Sequence, residues 1–166
     1  MHPACLPEDD LLEQCEICRQ RRSGPGGQHR NKVETAVFVR HLPTAVEAQA
    51  VERRSQEQNR IQALFRLRLK LAVQFRHPLD NPDERSELWR SRSSQGRLAI
   101  NSTHDDFPAI LAEALDVLAH DQYDHKLAAT RLQCSPSQLV KLLRKHAEAF
   151  HSVNTARQQQ SLRPLR

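Results

Sequence analysis

Three of the chain's four glycines lie within four positions, at Gly24, Gly26 and Gly27, and Gln28 follows them directly. Glycine adopts backbone angles closed to other residues and lets a partner approach the main chain closely. The cluster therefore predicts a loop that presents the side-chain amide and backbone N–H of Gln28. A phosphate-binding P-loop is excluded because no lysine followed by serine or threonine comes after the glycines, and a dinucleotide fingerprint is excluded because its third glycine is missing. On glycine content alone, a plain surface hairpin remains the simpler interpretation.

The segments around this loop predict a small sheet and a long helix. Residues 13–21 mix polar and apolar side chains at strand spacing, residues 35–40 are rich in β-branched and aromatic side chains, and residues 45–51 fit the return strand of a hairpin. The sequence Ser55-Gln56-Glu57-Gln58 is a capping box, and the helix that it begins is expected to end near Phe75. The buried face of that helix is predicted to carry Ile61, Leu64, Phe65, Leu67, Leu69, Leu71 and Val73, with the guanidinium groups of interleaved arginines on another side, available for phosphates.

The second half of the chain predicts helices after a linker. Residues 77–106 contain prolines, Gly96 and a polar string, with one helical turn expected near Trp89. Helices are predicted from Pro108, over 124–131 and from Ser135, and the chain from His151 has little to pack. The predicted organisation is a leader at 1–12, a domain with the glycine cluster at 13–76, a linker at 77–106, a helical module at 107–150 and a basic tail at 151–166.

The charge balance favours an anionic partner. The chain carries 25 Lys and Arg against 20 Asp and Glu, a formal net charge of +5. A single tyrosine and a single tryptophan argue against base stacking on exposed aromatic side chains, so phosphate contacts by arginine and lysine are favoured. Neither a membrane span nor a secretory signal is indicated, so we expect a cytoplasmic protein without a membrane partner.

The cysteines predict no metal or redox centre. Cys15 and Cys18 form a CxxC pair, which is typical of half a zinc site or of a redox pair. No second CxxC or CxxH pair accompanies it, so Cys5 and Cys134 would have to come from distant parts of the chain. We therefore interpret the pair as strand residues and expect no metal and no cofactor.

A longer pattern extends beyond the glycines. Gly26-Gly27-Gln28, followed by His29, Asn31, Lys32, Glu34, Ala36 and Val37, resembles the GGQ signature of class I peptide chain release factors. The resemblance continues through His41-Leu42-Pro43-Thr44, Glu52-Arg53, Ser55-Gln56, Asn59-Arg60 and Ala63-Leu64. It covers roughly residues 13 to 75, just under half of the chain.

The resemblance implies an α+β fold in which a small mixed sheet carries the GGQ loop against a long packing helix, followed by a small all-helical C-terminal module. It also implies hydrolysis of the ester of P-site peptidyl-tRNA on the ribosome, next to large-subunit rRNA. Gly26 and Gly27 would shape the loop tip, and Gln28 would orient the water and contribute its backbone N–H to the transition state. Gln28 is also the position at which a glutamine methyltransferase would act. The RNA-binding candidates are Arg21, Arg22, His29, Arg30, Asn31, Lys32 and Arg60.

Release factors that read stop codons carry a large region before the GGQ domain, whereas 23 residues precede Gly24 here. We therefore expect a monomer that acts without a codon, like the short members of this family that rescue stalled ribosomes. Those members use a basic C-terminal tail. The candidates for tail contacts with the ribosome are Lys141, Arg144, Lys145, Arg157, Arg163 and Arg166.

Two other functions stay open. The sequence of residues 128–139 is typical of a helix-turn-helix, with a short helix, a tight turn and a capped second helix. That second helix would present Gln138, Lys141, Arg144 and Lys145 to a nucleic acid. Alternatively, the GGQ domain is a catalytically inactive module that binds the ribosome, although the intact Gly26-Gly27-Gln28 argues against this interpretation.

Overall fold

The computed structural model describes residues 1–20 and 35–166, which form two compact units. The sheet unit comprises Pro3–Leu71, and the helical unit comprises Met1–His2 together with Ala72–Arg166. Each unit is described by itself below.

The sheet unit contains a three-stranded sheet and a long helix. A 3₁₀ turn at Pro3–Cys5 and helix α1 (Glu8–Glu13) precede β1 (Cys15–Gln20), β2 (Ala36–His41), β3 (Val46–Ala50) and α2 (Gln56–Gln74). The strand order is β1-β2-β3, and both neighbouring pairs are antiparallel. The α+β class is confirmed. The sheet of the described strands is antiparallel rather than mixed. For β2 and β3 the reason is the short connection over residues 42–45, because parallel pairing needs a long crossover.

The core of the sheet unit follows from two periodicities. Buried and exposed side chains alternate strictly along β3, as expected for a strand with one face against a core. On α2, Asn59, Ala63, Leu67 and Leu71 recur every four residues, and each has 0% of its surface exposed. Ile61 was predicted on this face, but its side chain is 55% exposed because it lies off the four-residue stripe.

Side chains of α2 close the free edge of the sheet. The guanidinium of Arg66 donates to the carbonyl of Gln49 at 2.8 Å, and the ammonium of Lys70 donates to the carbonyl of Glu47 at 2.7 Å. The two donors lie four residues apart on one face of the helix, and the two acceptors lie two residues apart on the edge strand β3. The pair thus satisfies carbonyls that an edge strand would otherwise expose.

The helical unit begins with short elements and continues with four helices. Helix α3 (Glu87–Arg92) leads into a hairpin of β4 (Ser93–Ser94) and β5 (Arg97–Leu98). The helices that follow are α4 (Phe107–His120), α5 (His125–Arg131), α6 (Pro136–Arg144) and α7 (Ala147–Gln159). Within residues 1–20 and 35–166, no helix has both the length and the apolar character needed to cross a membrane.

The predicted capping boxes are confirmed in both units. The hydroxyl of Ser55 accepts the amide of Gln58 at 3.3 Å, and the hydroxyl of Ser135 accepts the amide of Gln138 at 3.2 Å. A serine at the N-cap satisfies one of the amides that the first helical turn leaves without a partner. Helices α2 and α6 therefore begin where these local signals predict.

Within residues 77–106, which were predicted as a linker, the segment around Trp89 is anchored by a buried side chain. The indole of Trp89 is 0% exposed, and its N–H donates to the carbonyl of Leu132 at 2.9 Å. Ser86 caps α3 by accepting the amide of Trp89 at 2.9 Å. This anchoring contact joins positions 43 residues apart, which local sequence signals do not reveal.

The chain beyond His151 packs, contrary to the prediction. Helix α7 buries Val153 and Arg157, and Leu165 is also buried. The side-chain amide of Asn154 accepts the backbone N–H of Leu165 at 2.7 Å, and the guanidinium of Arg157 donates to the carbonyl of Arg163 at 2.8 Å. Polar side chains thus fold residues 160–166 back onto α7.

His2 makes the stability of the helical unit sensitive to acid. Burial lowers the pKa of His2 from 6.5 to about 4, and its ring nitrogen lies 3.2 Å from the carbonyl oxygen of Phe75. Between these two pKa values the unfolded chain binds a proton that the folded chain does not, so the fold loses stability as the pH falls. We expect the stability of the wild type relative to His2→Gln to decrease by up to about 3 kcal/mol from pH 6.5 to about 4.

Denaturant unfolding of the two proteins at a series of pH values measures this difference. Glutamine keeps a donor for the Phe75 carbonyl but does not titrate, so the comparison isolates the imidazole. A difference that stays constant over the range would contradict the assignment of a buried neutral histidine.

Candidate functional site

The candidate catalytic loop connects two paired strands. Most of the residues predicted for catalysis and RNA contact lie outside the described residues: Arg21, Arg22, Gly26, Gly27, Gln28, His29, Arg30, Asn31 and Lys32. The structure does describe both ends of this segment. Gln20, the last residue of β1, pairs with Ala36, the first residue of β2. The antiparallel register therefore brings the two ends of the segment together at one end of the sheet.

A buried amide holds the point at which the chain enters β2. The side-chain N–H₂ of Asn59 donates to the carbonyls of Thr35, at 2.6 Å, and Arg53, at 3.0 Å. Its side-chain oxygen accepts the backbone N–H of Arg53 at 3.0 Å. One fully buried side chain thus joins the loop exit to the turn between β3 and α2.

Asn59 belongs to the family pattern, but that pattern predicts no role for it. A signal was available, because Asn59 lies on the same four-residue stripe as Ala63 and Leu67. A polar side chain on the buried face of a helix needs hydrogen-bond partners inside the fold.

Arg60, the one RNA-binding candidate in the sheet unit that the structure describes, is held by carboxylates. Its guanidinium lies 2.9 Å from a carboxylate oxygen of Glu8 and 2.9 Å from one of Glu57. An RNA phosphate would have to compete with both groups. Contact between Arg60 and RNA therefore stays a prediction.

His41 does not offer a general base to the loop. Its imidazole is 1% exposed, with Thr44 Oγ1 at 2.8 Å from Nδ1 and Gln14 Oε1 at 3.1 Å from Nε2. Burial also lowers the pKa of His41, which makes its imidazole a weaker base. His41 ends β2, whereas the loop enters at Ala36, which puts the two about 16 Å apart along the strand. This histidine therefore supports the β2–β3 turn.

Cys15, Cys18 and Cys134 are free thiols. Cys15 is half-buried, Cys18 is exposed and Cys134 is buried. Burial raises the pKa of Cys15, and it raises the pKa of Cys134 to about 11, which opposes formation of a thiolate. Within residues 1–20 and 35–166, no group of three or more His, Cys, Asp or Glu side chains could hold a metal ion.

The C-terminal candidates divide into exposed and engaged side chains. Lys141, Arg163 and Arg166 are exposed, and Arg144 is exposed with its guanidinium 5.5 Å from the ring centre of Phe150. The ammonium of Lys145 donates to the carbonyl of Ile100. The guanidinium of Arg157 is committed to the carbonyls of Tyr123 and Arg163, and this side chain serves the fold. Contacts with the ribosome by this set stay predictions.

In a comparison with known protein families, residues 10–105 match the family described as the RF-1 domain. The chloroplastic peptide chain release factor PrfB1 of Arabidopsis thaliana is 48% identical over 68 residues, covering 41% of this chain and 14% of that protein. Peptide chain release factor 1 of Caulobacter vibrioides is 39% identical over 111 residues, covering 63% of this chain and 30% of that protein. Peptide chain release factor 1 of Symbiobacterium thermophilum is 36% identical over 102 residues, covering 61% of this chain and 27% of that protein. The chain thus spans less than a third of the length of each of these relatives.

Replacing the Asn59 amide by a carboxylate tests its structural role. Asn59→Asp keeps the side-chain volume but removes both donors, which leaves the carbonyls of Thr35 and Arg53 facing oxygen atoms. We expect a loss of about 2–4 kcal/mol in the free energy of unfolding, measured by denaturant titration.

Ser55→Ala is the matched control, because it removes the cap of the same helix without touching Thr35 and should cost about 1 kcal/mol. If Asn59→Asp costs no more than this control, the buried amide is not what holds the loop exit.

Proposed function

The chain belongs to the RF-1 domain family of class I peptide chain release factors, and we propose that it hydrolyses the ester between the nascent peptide and P-site tRNA on the ribosome. The observation that carries the proposal is the position of Gly26-Gly27-Gln28. These residues fall within the family match and between the paired ends of β1 and β2. A strand-to-strand connection with the glycines at its centre supports a loop that reaches into a narrow reaction centre.

The proposed chemistry needs little from the protein besides the loop tip. Gly26 and Gly27 give the backbone the freedom to turn, and Gln28 orients the attacking water with its side chain. The backbone N–H of Gln28 stabilises the negative charge that develops on the ester oxygen. The absence of a general base from this scheme agrees with the burial of His41, whose two ring nitrogens both have hydrogen-bond partners. The ribosome and the tRNA supply the remaining groups.

We further propose that release does not depend on a stop codon. The support is the character of the helical unit, whose exposed cations include Lys141, Arg144, Arg163 and Arg166. Contacts with phosphates carry no base information, so docking through such side chains is the same for every codon. Cytoplasmic location, a monomeric state and methylation of Gln28 by a glutamine methyltransferase belong to the same proposal.

The second candidate is a nucleic-acid reader built on α5 and α6. Asp124 caps α5 and Ser135 caps α6, with a turn between the two helices in which Gln133 has a φ of 48°. Leu139, Leu142 and Leu143 are buried on one face of α6, which leaves Lys141 and Arg144 exposed on the other. This arrangement fits a recognition helix.

Peptide release from ribosomes that carry peptidyl-tRNA tests the proposal. The assay compares an empty A site, a sense codon and a stop codon in the A site, with the full-length wild type and with Gly27→Ala and Gln28→Ala. We expect release in all three settings. We also expect a loss of about 100-fold or more in the release rate for Gly27→Ala, because a displaced loop tip removes the oxyanion donor.

Gly24→Ala is the control, since it alters the third glycine of the cluster outside the Gly26-Gly27-Gln28 triplet. Undiminished release by Gly27→Ala would overturn the catalytic assignment, and release confined to a stop codon would overturn codon independence. A wild type that binds ribosomes without releasing peptide would identify an inactive binding module. Binding that prefers a specific DNA duplex would favour the reader built on α6.

A further inference from the structure

Most basic side chains of α2 form hydrogen bonds or ion pairs within the sheet unit. Arg66 pairs with Glu52 and donates to the Gln49 carbonyl, and Lys70 donates to the Glu47 carbonyl. Arg68 donates to the carbonyl of Leu6 at 2.8 Å. The arginine face expected to rest on RNA phosphates is therefore largely an internal set of bonds that fastens the helix to β3 and to the N-terminal segment.

Among its described residues the sheet unit has four other exposed arginines, of which Arg40 pairs with Glu47; the remaining three are Arg19, Arg53 and Arg54. Among the residues that the structure describes, no carboxylate or carbonyl binds their guanidinium groups. Arg19 stands opposite Val37, which stands opposite Ala50, in one row across the three strands. This row lies at the end of the sheet where the candidate loop leaves β1 and enters β2. Arg53 and Arg54 follow shortly after Ala50, in the turn before α2, so all three belong to the same end of the sheet.

In the turn before α2, residues 51–55, the carboxylate does not pair with the two arginines of the turn. Glu52 is its only acidic residue, and this carboxylate accepts the Val51 amide at 2.8 Å and pairs with Arg66. These two partners lower the pKa of Glu52 to about 2, so the carboxylate stays ionised and bound to Arg66. The neighbouring Arg53 and Arg54 therefore keep their charge available to an external anion.

The backbone beneath Arg53 is fixed. Its N–H and its carbonyl both bind the side chain of Asn59, which also binds Thr35 at the loop exit. An arginine on a fixed backbone loses less conformational entropy on binding than one on a free segment. The same amide therefore ties the position of Arg53 to the position of the loop exit.

We propose that Arg19, Arg53 and Arg54 form a phosphate-binding surface, the loop-base surface, which grips the RNA backbone beside the candidate loop. This inference rests on the proposed function, since the RNA in question is the ribosomal RNA that surrounds the loop when it acts. The surface positions the loop by holding its base and takes no part in the chemistry.

RNA is favoured over a lipid surface by the composition of the turn, and over an acidic protein by the proposed function, in which the candidate loop is surrounded by ribosomal RNA. Arginine binds phosphate oxygens in a bidentate geometry that matches its planar guanidinium. Residues 52–55 contribute neither an apolar side chain that could enter a bilayer nor an aromatic side chain that could stack on a base. The contact is therefore with the sugar-phosphate backbone.

The salt dependence of binding tests this surface directly. Binding of the full chain to purified large ribosomal subunits is measured over a range of KCl concentrations, with Arg53→Gln/Arg54→Gln compared with the wild type. Each phosphate contact contributes about 0.7–0.9 to the slope of log affinity against log salt. We expect the double variant to lower the magnitude of that slope by about 1.4–1.8.

Arg68→Gln/Lys70→Gln is the matched control, because it removes the same charge from side chains that bind carbonyls inside the unit. It should keep the wild-type slope, and a thermal melt of each variant verifies that the slopes compare folded proteins. Equal slopes for the two double variants would overturn the surface, as would competition by polyglutamate that exceeds competition by an RNA homopolymer.

The outcome is separable from that of the proposed function. A protein that binds subunits through the loop-base surface but releases no peptide retains the surface and loses the catalytic proposal. Release by the wild type together with an unchanged slope for Arg53→Gln/Arg54→Gln retains the catalytic proposal and overturns the loop-base surface.

Discussion

The side-chain amide of Asn59 connects three parts of the sheet unit that are far apart in sequence. It belongs to the first turns of α2, accepts from and donates to the backbone of Arg53, and donates to the carbonyl of Thr35. Because the amide is fully buried, water cannot replace a lost partner, and each bond is expensive to break. The entry of the chain into β2 is therefore coupled to the folding of α2, and Thr35, which follows the segment that contains Gly26-Gly27-Gln28, is held in place.

The sheet unit separates arginines that serve the fold from arginines that remain free for a partner. Arg66 satisfies a carbonyl of the edge strand and pairs with Glu52, the acidic residue of the turn, whereas no described carboxylate pairs with Arg53 or Arg54. Net charge alone could not reveal this division, since paired and unpaired arginines contribute equally to it. For a family whose members act on the ribosome, the position of the unpaired charge carries more information than its total.

The sequence predicted those features that depend on local signals. The strands on both sides of the loop and the helix starts at Ser55 and Ser135 were predicted, because alternation and capping act over a few residues. The anchoring of Trp89 and the packing beyond His151 were missed, since their partners are backbone carbonyls and amides brought close only by the fold. The catalytic candidates Gly26, Gly27 and Gln28 were selected from the ordered family pattern, and the family match over residues 10–105 includes their positions. Their role stays a prediction.

Amide hydrogen exchange at Arg53 is the most direct test of this account. The N–H of Arg53 lies in a turn outside any helix or strand, yet it donates to the buried oxygen of Asn59. The account predicts that this amide exchanges as slowly as the amides of Leu64 and Leu67 in the core of α2, because it is released only when the unit unfolds. Exchange at the rate of an unstructured turn would contradict it, since the Asn59 amide would then not be holding the base of the loop.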